Sequence, residues 1–355
     1  MKTPIIEGIT QAGLESYLAA RQYEALYWPT FFPTKQVNTL DGKTLVGAAG
    51  SRVAAHVISY DAKSPEAGRK SLETIYFDIP KVAQSRRKTE KEILEHQITR
   101  SLRGQDAVIE DYFNDIDFVF DSVQSRMEWY ALQALSTTKL QLTTTNNPQG
   151  IVNETVIDFG MPTANKKYVS EVWSVGNVAS MDPIKDFQTT VAAARKLGIK
   201  FSRILMDADA YDLMIAATKF RTYFTNALSV VGLIDLTTIN RVLNDYRLPQ
   251  ITVIDTSLGI EAKSGTVTAT NPWSTTHLTF IPEVKCGDMF SGPIAEQIEK
   301  PDGVILSSKG NVSMSIRREY NPVSVLTKAE CNVFPSWVNV DRCFSLYTGS
   351  KTAWA

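Results

Sequence analysis

Residues 105–137 read as one unbroken amphipathic helix, and no other feature of the chain limits its fold as strongly. Gln105 to Thr137 holds no Gly and no Pro, the residues that most often end or kink a helix. Apolar positions recur at Ile109, Phe113, Ile116, Phe120, Val123, Met127, Tyr130 and Ala134, in steps of three and four that form one stripe. Asp106, Glu110, Asp111, Asp115, Asp117, Asp121 and Glu128 fall on the other side. At 1.5 Å per residue the helix is roughly 45–50 Å long, about the diameter of a small domain. Such a rod suits a flat, extended building block better than a compact catalytic core.

The 355 residues suffice for one large or two moderate domains. Hydrophobic residues make up 43% and charged ones 21%, the balance of a folded chain rather than a disordered one. A formal net charge of -1 speaks against a nucleic-acid binder, which needs cations to neutralise phosphates. No window approaches the ~18 consecutive apolar residues of a membrane span. The start, Met1-Lys-Thr-Pro-Ile-Ile-Glu-Gly, lacks the apolar run of a signal peptide. Cys286, Cys331 and Cys343 are odd in number and widely spaced, so they are expected as reduced thiols.

Along the chain, Thr10–Tyr23 is a short helix candidate capped by Thr10. Trp28-Pro-Thr-Phe-Phe-Pro is expected to stay extended. Leu45-Val-Gly-Ala-Ala-Gly reads as flexible. Arg52–Tyr60 and Leu72–Pro80 alternate, with a polar stretch containing Pro65 and Gly68 between them, which predicts a long β-hairpin arm. Two strands alone are marginal in water, so the arm must lie on something else. Arg86-Arg-Lys-Thr-Glu-Lys-Glu reads as a solvated charge run, and Ile151–Phe159 as a strand. From Met181 the pattern turns α/β. A helix capped by Asp182 with Pro183 behind it runs to Leu197 and stops at Gly198. Strands follow at Ser202–Met206 and Ile251–Ile254, helices at Asp207–Thr218 and Leu236–Tyr246, and a hairpin from Gly265–Thr270 with Thr276–Ile281. After Gly303 alternation returns, with Val312, Met314 and Ile316 against Ser313, Ser315 and Arg317, then strands at Ser324–Val333 and Arg342–Thr348.

Little in the chain points to chemistry. His56, His96 and His277 have no second His at ligand spacing. There is no Gly-x-Gly-x-x-Gly, P-loop or nucleophile elbow. Asp207-Ala-Asp209 suits a helix start, and Asp115-Ile-Asp117 sits on a helix whose i and i+2 positions do not face each other. No enzyme activity, metal or cofactor is expected. The acidic side of 105–137 reads as a water-facing surface or, alternatively, as the wall of a cavity that must not bind packed nucleic acid.

The order of these segments resembles that of tailed-phage major capsid proteins with the HK97-type fold, and more narrowly the major capsid protein E family, the lambda-type coat proteins. Arg52-Val-Ala-Ala-His-Val-Ile-Ser-Tyr-Asp, followed by Arg69-Lys-Ser-Leu-Glu-Thr-Ile-Tyr-Phe-Asp-Ile-Pro-Lys-Val, is similar to that family's extended loop. Val156-Ile-Asp-Phe-Gly-Met-Pro resembles the strand after its spine helix. Asp182-Pro-Ile-Lys-Asp-Phe and Arg203-Ile-Leu-Met-Asp-Ala-Asp-Ala-Tyr resemble the start of its axial domain. Each motif is degenerate alone, and their shared order, from about residue 10 to 350, carries the likeness.

The resemblance implies an α+β, HK97-like capsid fold. Its parts would be an N-terminal arm (1–40), an extended loop (41–83), a peripheral domain (84–181 and 305–355) with spine helix 105–137, and an inserted axial domain (182–304). It implies a phage coat protein that self-assembles into hexamers and pentamers of an icosahedral shell around the genome. The shell would be built in the bacterial host cytoplasm with scaffolding, portal and decoration proteins as partners. Packaged double-stranded DNA would be met only by non-specific proximity, and no membrane is involved. Arg52, Lys63, Arg69, Lys70, Ile75 and Phe77 of the loop are the expected inter-subunit contacts, and Asp111, Asp115 and Asp121 the expected lumen-facing acids. No long helical scaffold segment begins the chain, so no large cleaved prodomain is expected. Nothing fixes the partners of a Lys–Asn crosslink. The alternatives are an encapsulin-like nanocompartment shell and, more remotely, an oligomeric α/β enzyme, which would need a convergent set of acid, base or nucleophile.

Overall fold

The computed structural model describes residues 10–47, 72–103, 105–151, 156–228 and 235–354. Helix α1 (Gln11–Ala20) opens on Thr10, whose Oγ1 accepts the Gly13 N–H at 3.1 Å, and buries Leu14 and Leu18. The Trp-Pro-Thr-Phe-Phe-Pro segment is not extended. It forms a one-turn helix, α2 (Trp28–Phe31), because Pro29 sits in the first turn, where no N–H is needed. Trp28, Phe31 and Phe32 are buried within the chain.

Strand β1 (Thr34–Gln36) is followed by β2 (Asp41–Gly47), which pairs with β3 (Leu72–Asp78). The hairpin partner expected at Arg52–Tyr60 lies outside the described residues. Leu45-Val-Gly, expected to be flexible, belongs to β2 instead. The charge run Arg86-Arg-Lys is likewise strand, at the end of β4 (Lys81–Lys88). Helix α3 (Glu90–Arg103) starts on a capping box in which Glu92 Oε2 accepts both the Thr89 N–H (2.7 Å) and its hydroxyl (2.8 Å). The long helix is α4 (Gln105–Thr137), with the bounds read from sequence. Short strands β5 (Lys139–Leu140) and β6 (Ile157–Asp158) pair after it, and β7 (Lys166–Tyr168) follows.

Helix α5 (Pro183–Lys196) has the Asp182 cap, and Gly198 ends it at φ +73°. Then come β8 (Arg203–Asp207), α6 (Ala208–Ala216), α7 (Thr218–Leu228), α8 (Leu236–Asp245) and β9 (Gln250–Ile254). The strands β10 (Leu258–Glu261), β11 (Val267–Thr270), β12 (His277–Ile281) and β13 (Asp288–Gly292) lead to α9 (Ala295–Ile298). The chain closes with β14 (Val304–Lys309), β15 (Val312–Tyr320), β16 (Val323–Ser336) and β17 (Phe344–Tyr347). The expected hairpin of 265–270 with 276–281 does not form, since β11 pairs with β10 while β12 lies between β17 and β8.

Two compact units result. The first comprises Met1–Gly42, Phe77–Tyr130 and Asp288–Ser336. Its sheet runs β1-β13-β16-β15-β14, with β4 antiparallel to β16 from Val325↔Lys88 to Asn332↔Lys81. The middle of α4 supplies its core through Ile116, Val119, Phe120, Val123, Met127 and Tyr130, the last with its ring 6.1 Å from that of Phe334. The alternating start of β15 is buried on both faces, because its polar positions Ser313 and Ser315 are small enough to pack.

The second unit comprises Lys43–Tyr76, Ala131–Gly287 and Trp337–Ala355. Its sheet runs β7-β17-β12-β8-β9 and carries α5 to α8 around Phe187, Met206, Phe220, Ile239 and Phe280. Strand pairing links residues 182–304 to later segments in both sheets. β13 pairs with β16 in the first sheet, and β17 pairs with β12 in the second. A strand belongs with its register partner, which the sequence pattern does not name.

Candidate assembly surfaces

Three acids of α4, Asp115, Asp117 and Glu128, are buried. Asp115 is 8% exposed; its Oδ2 is 2.9 Å from Lys88 Nζ and its Oδ1 3.4 Å from Arg86 Nη1. Arg86 also stacks on the Phe118 ring at 3.5 Å, and Lys88 lies 4.7 Å from the Tyr112 ring. The run expected to be a solvated face thus supplies two cations to Asp115. Asp117 accepts the hydroxyls of Tyr17 (2.6 Å) and Tyr23 (2.9 Å) and pairs with Arg21 Nε (3.1 Å). Glu128, fully buried, accepts the backbone N–H groups of Tyr27 (3.0 Å) and Trp28 (2.7 Å), capping α2. Asp115 is therefore corrected from a solvent-facing to a buried, paired carboxylate. Asp121 keeps contact with water, and the Asp111 side chain lies outside what the structure describes.

Of the expected loop contacts, Arg52, Lys63, Arg69 and Lys70 lie outside the described residues. Ile75 and Phe77 are in β3. The pairing with β2 is followed by an Ile79 N–H bond to the Leu40 carbonyl at 2.7 Å.

An apolar cleft of about 490 Å³ lies in the first unit, lined by Arg87, Thr89, Glu90, Lys91, Leu94, Pro322, Val323 and Ser324. The turn from β15 to β16, which holds Asn321 and Pro322, forms one side and the start of α3 the other. Beside it Leu94 is 60% and Ile98 62% exposed, one turn apart on α3, and Tyr320 is 79% exposed. Sequence reading missed this surface. The available signal was Leu94 and Ile98, four apart and so on one face of a helix.

Among the described residues no group of three His, Cys, Asp or Glu side chains can hold a metal. Asp207 instead caps α6 and accepts the Asn271 amide at 2.6 Å. The three cysteines are buried free thiols, and burial pushes Cys331 and Cys343 up to about 12, which leaves them unreactive.

Residues 19–347 match the family model described as phage major capsid protein E. The chain belongs to that family. Its members are structural coat proteins of the virion shell, and this one has the HK97-like capsid fold. One solved relative is a protein assigned as a prophage capsid protein of E. coli CFT073. It is 14% identical at a TM-score of 0.56, over 96% of this chain and 99% of the other. A phage-related protein of Bordetella bronchiseptica RB50 is 13% identical at a TM-score of 0.54, over 95% and 96%. At these identities the likeness is one of fold. Curated protein sequences gave no significant match. Among the described residues no helix of this coat protein is long and apolar enough to cross a membrane.

Proposed function

We propose that this coat protein associates with copies of itself, as hexamers and pentamers, into the icosahedral shell of a tailed double-stranded DNA phage or prophage. The observation that carries this reading is the family match, which extends through residues of both units. It favours a phage shell over a nanocompartment. In this reading residues 182–304 form the axial domain and the extended loop 41–83 reaches across a neighbour. Arg52, Lys63, Arg69, Lys70, Ile75 and Phe77 are then the contacts. A two-stranded sheet is marginal alone, and coverage by a neighbour supplies the missing burial. The exposed Leu94, Ile98, Tyr320 and Val323 amount to roughly a few hundred Å² of apolar surface, the size of the largest patch on a typical monomer, which is often functional. This is below the ~800 Å² per partner of a stable pair. A contact that small holds when symmetry repeats it many times, which suits further copies of this chain.

Scaffolding, portal and decoration proteins complete the assembly in the host cytoplasm, and packaged DNA lies inside without specific contacts. Of the three acids assigned to the lumen, Asp121 is the one whose side chain is described and open to water. Removal of residues 61–70 tests the loop's role. The variant is expected to keep the wild-type circular dichroism and to form no closed shells. Sedimentation of normal particles from it would end the assignment.

A further inference from the structure

After β17 the chain hooks back onto the strand it has just left. Thr348 is still fixed by main-chain bonds, its N–H on the Thr276 carbonyl (2.8 Å) and its carbonyl accepting the Trp173 N–H (3.1 Å). Gly349 then crosses the Tyr347 ring so closely that a Cβ there would stand 2.5 Å from the tyrosine oxygen. Ser350 Oγ accepts the N–H groups of Thr352 (3.2 Å) and Ala353 (3.3 Å), which closes the turn within the hook itself. Trp354 lands beside β17, where its Nε1 donates to Ser345 Oγ at 3.1 Å. Side chains from further strands converge on the indole. Lys166 Nζ of β7 lies 4.6 Å and Lys139 Nζ of β5 5.9 Å from the ring. The His277 ring of β12 meets it edge-on at 5.3 Å and is itself 4.8 Å from the Tyr347 ring. Strand register sets these positions, since His277 pairs with Tyr347 and Ser345 with Lys166. The rest of the hook is lightly held. Lys351 reaches Glu171 at 3.3 Å, but both side chains are open to water, where such a pair is worth little. The indole is therefore the anchor.

We propose that Lys139, Lys166, His277, Ser345 and Tyr347 form a preorganised seat for a tryptophan-bearing peptide segment, which the chain fills with its own Trp354 and which accepts the same segment from a second copy. A seat carried on paired strands keeps its shape when the indole leaves, and that lowers the cost of filling it again. Its chemistry selects the ligand. The Ser345 hydroxyl takes an indole N–H, which Phe lacks, and the flanking lysines favour a π-face, which an aliphatic side chain lacks. Exchange between copies replaces each contact with an identical one, the condition under which elements swap between protomers. The six steps of chain from Thr348 to Trp354 span at most about 20 Å when extended, so the donor is an adjoining copy.

Seat and segment can be tested without shell formation. A fluorescently labelled synthetic peptide of residues 350–355 is titrated, by anisotropy, into full-length chains held in one assembly state checked by sedimentation. Saturable binding is expected to the Trp354→Ala chain, whose seat is open. Binding to wild type, whose seat is filled, is expected to be at least about tenfold weaker. A peptide that itself carries Trp354→Ala should bind the open seat about tenfold more weakly than the native peptide, through the lost hydrogen bond and cation–π contacts. Circular dichroism confirms that the Trp354→Ala chain is folded. No saturable binding to that chain, equal binding of the two peptides, or equal binding to the two chains would overturn the proposal. So would loss of the fold in Trp354→Ala, because the indole would then belong to the core and not to an exchangeable segment.

Discussion

Charge reversal at two acids of one helix separates a buried pair from an exposed charge. Asp115 and Asp121 lie six residues apart on α4, and a lumen-wall reading treats them alike. The structure does not. The side chains of Asp115 and Lys88 are 11% and 10% exposed, with 2.9 Å between the charged atoms, and Arg86 stands 3.4 Å away as a second cation. Removing one partner of a buried pair leaves the other charge uncompensated, at a cost of about 3–5 kcal/mol. Lys at position 115 would add repulsion of about 4 kcal/mol per close like-charge pair at an effective dielectric constant of 20. The total then approaches the ~5–15 kcal/mol that stabilises a whole domain. Asp115→Lys is therefore expected to yield no stable first unit, and Asp115→Asn to lose about 3 kcal/mol. Asp121→Lys, which replaces a carboxylate repelled by Asp117 and Glu24, is expected to fall within about 0.5 kcal/mol of wild type. Urea unfolding followed by far-ultraviolet circular dichroism measures all three. An Asp115→Lys chain within 1 kcal/mol of wild type would refute the reasoning, because the Lys88 pair would then carry no energy.

Other outcomes follow from the same structure. Glu330 is 1% exposed and salt-bridged to Lys328 (2.8 Å) and Lys81; burial works against its charge, but the two lysines hold its carboxyl below the usual range. A carboxylate depressed on folding contributes stability above its unfolded pKa, about 4.3, and loses it as pH falls through the folded value. The first unit should thus lose stability below about pH 4, and Glu330→Gln should flatten that part of the urea-midpoint profile. Asp186, 4% exposed, accepts the Ser170 N–H (2.9 Å), the Ser170 hydroxyl (2.8 Å) and Trp173 Nε1 (3.1 Å). Asp186→Ala should cost the second unit about 2–4 kcal/mol, seen by urea unfolding and near-ultraviolet circular dichroism, through donors left unpaired. Leu94→Glu with Ile98→Glu should leave the unfolding midpoint unchanged, both side chains being exposed, yet reduce shell yield in sedimentation; undiminished yield would remove that surface from the assembly.

Local signals were legible in the sequence wherever one residue type fixed the backbone. The caps at Thr10 and Asp182, the stop at Gly198 and the bounds of α4 are all of this kind. Long-range pairing was not. β4 reads as a polar run because its cations pair with acids far away in sequence, and only the fold places Asp115 opposite Lys88. The acids of α4 look like a solvated face for the same reason. Asp117 and Glu128 are matched by tyrosine hydroxyls and main-chain N–H groups about a hundred residues earlier, and a backbone donor leaves no mark in composition. The capsid resemblance rested on segment order, which survives when individual motifs are degenerate.

The most direct test of the coat-protein account is negative-stain microscopy of the purified full chain, alone and with a candidate scaffolding protein. Closed shells, or tubes and sheets of hexamers, are the predicted result in at least one of the two preparations. A monodisperse monomer or dimer in both would contradict self-assembly into a shell.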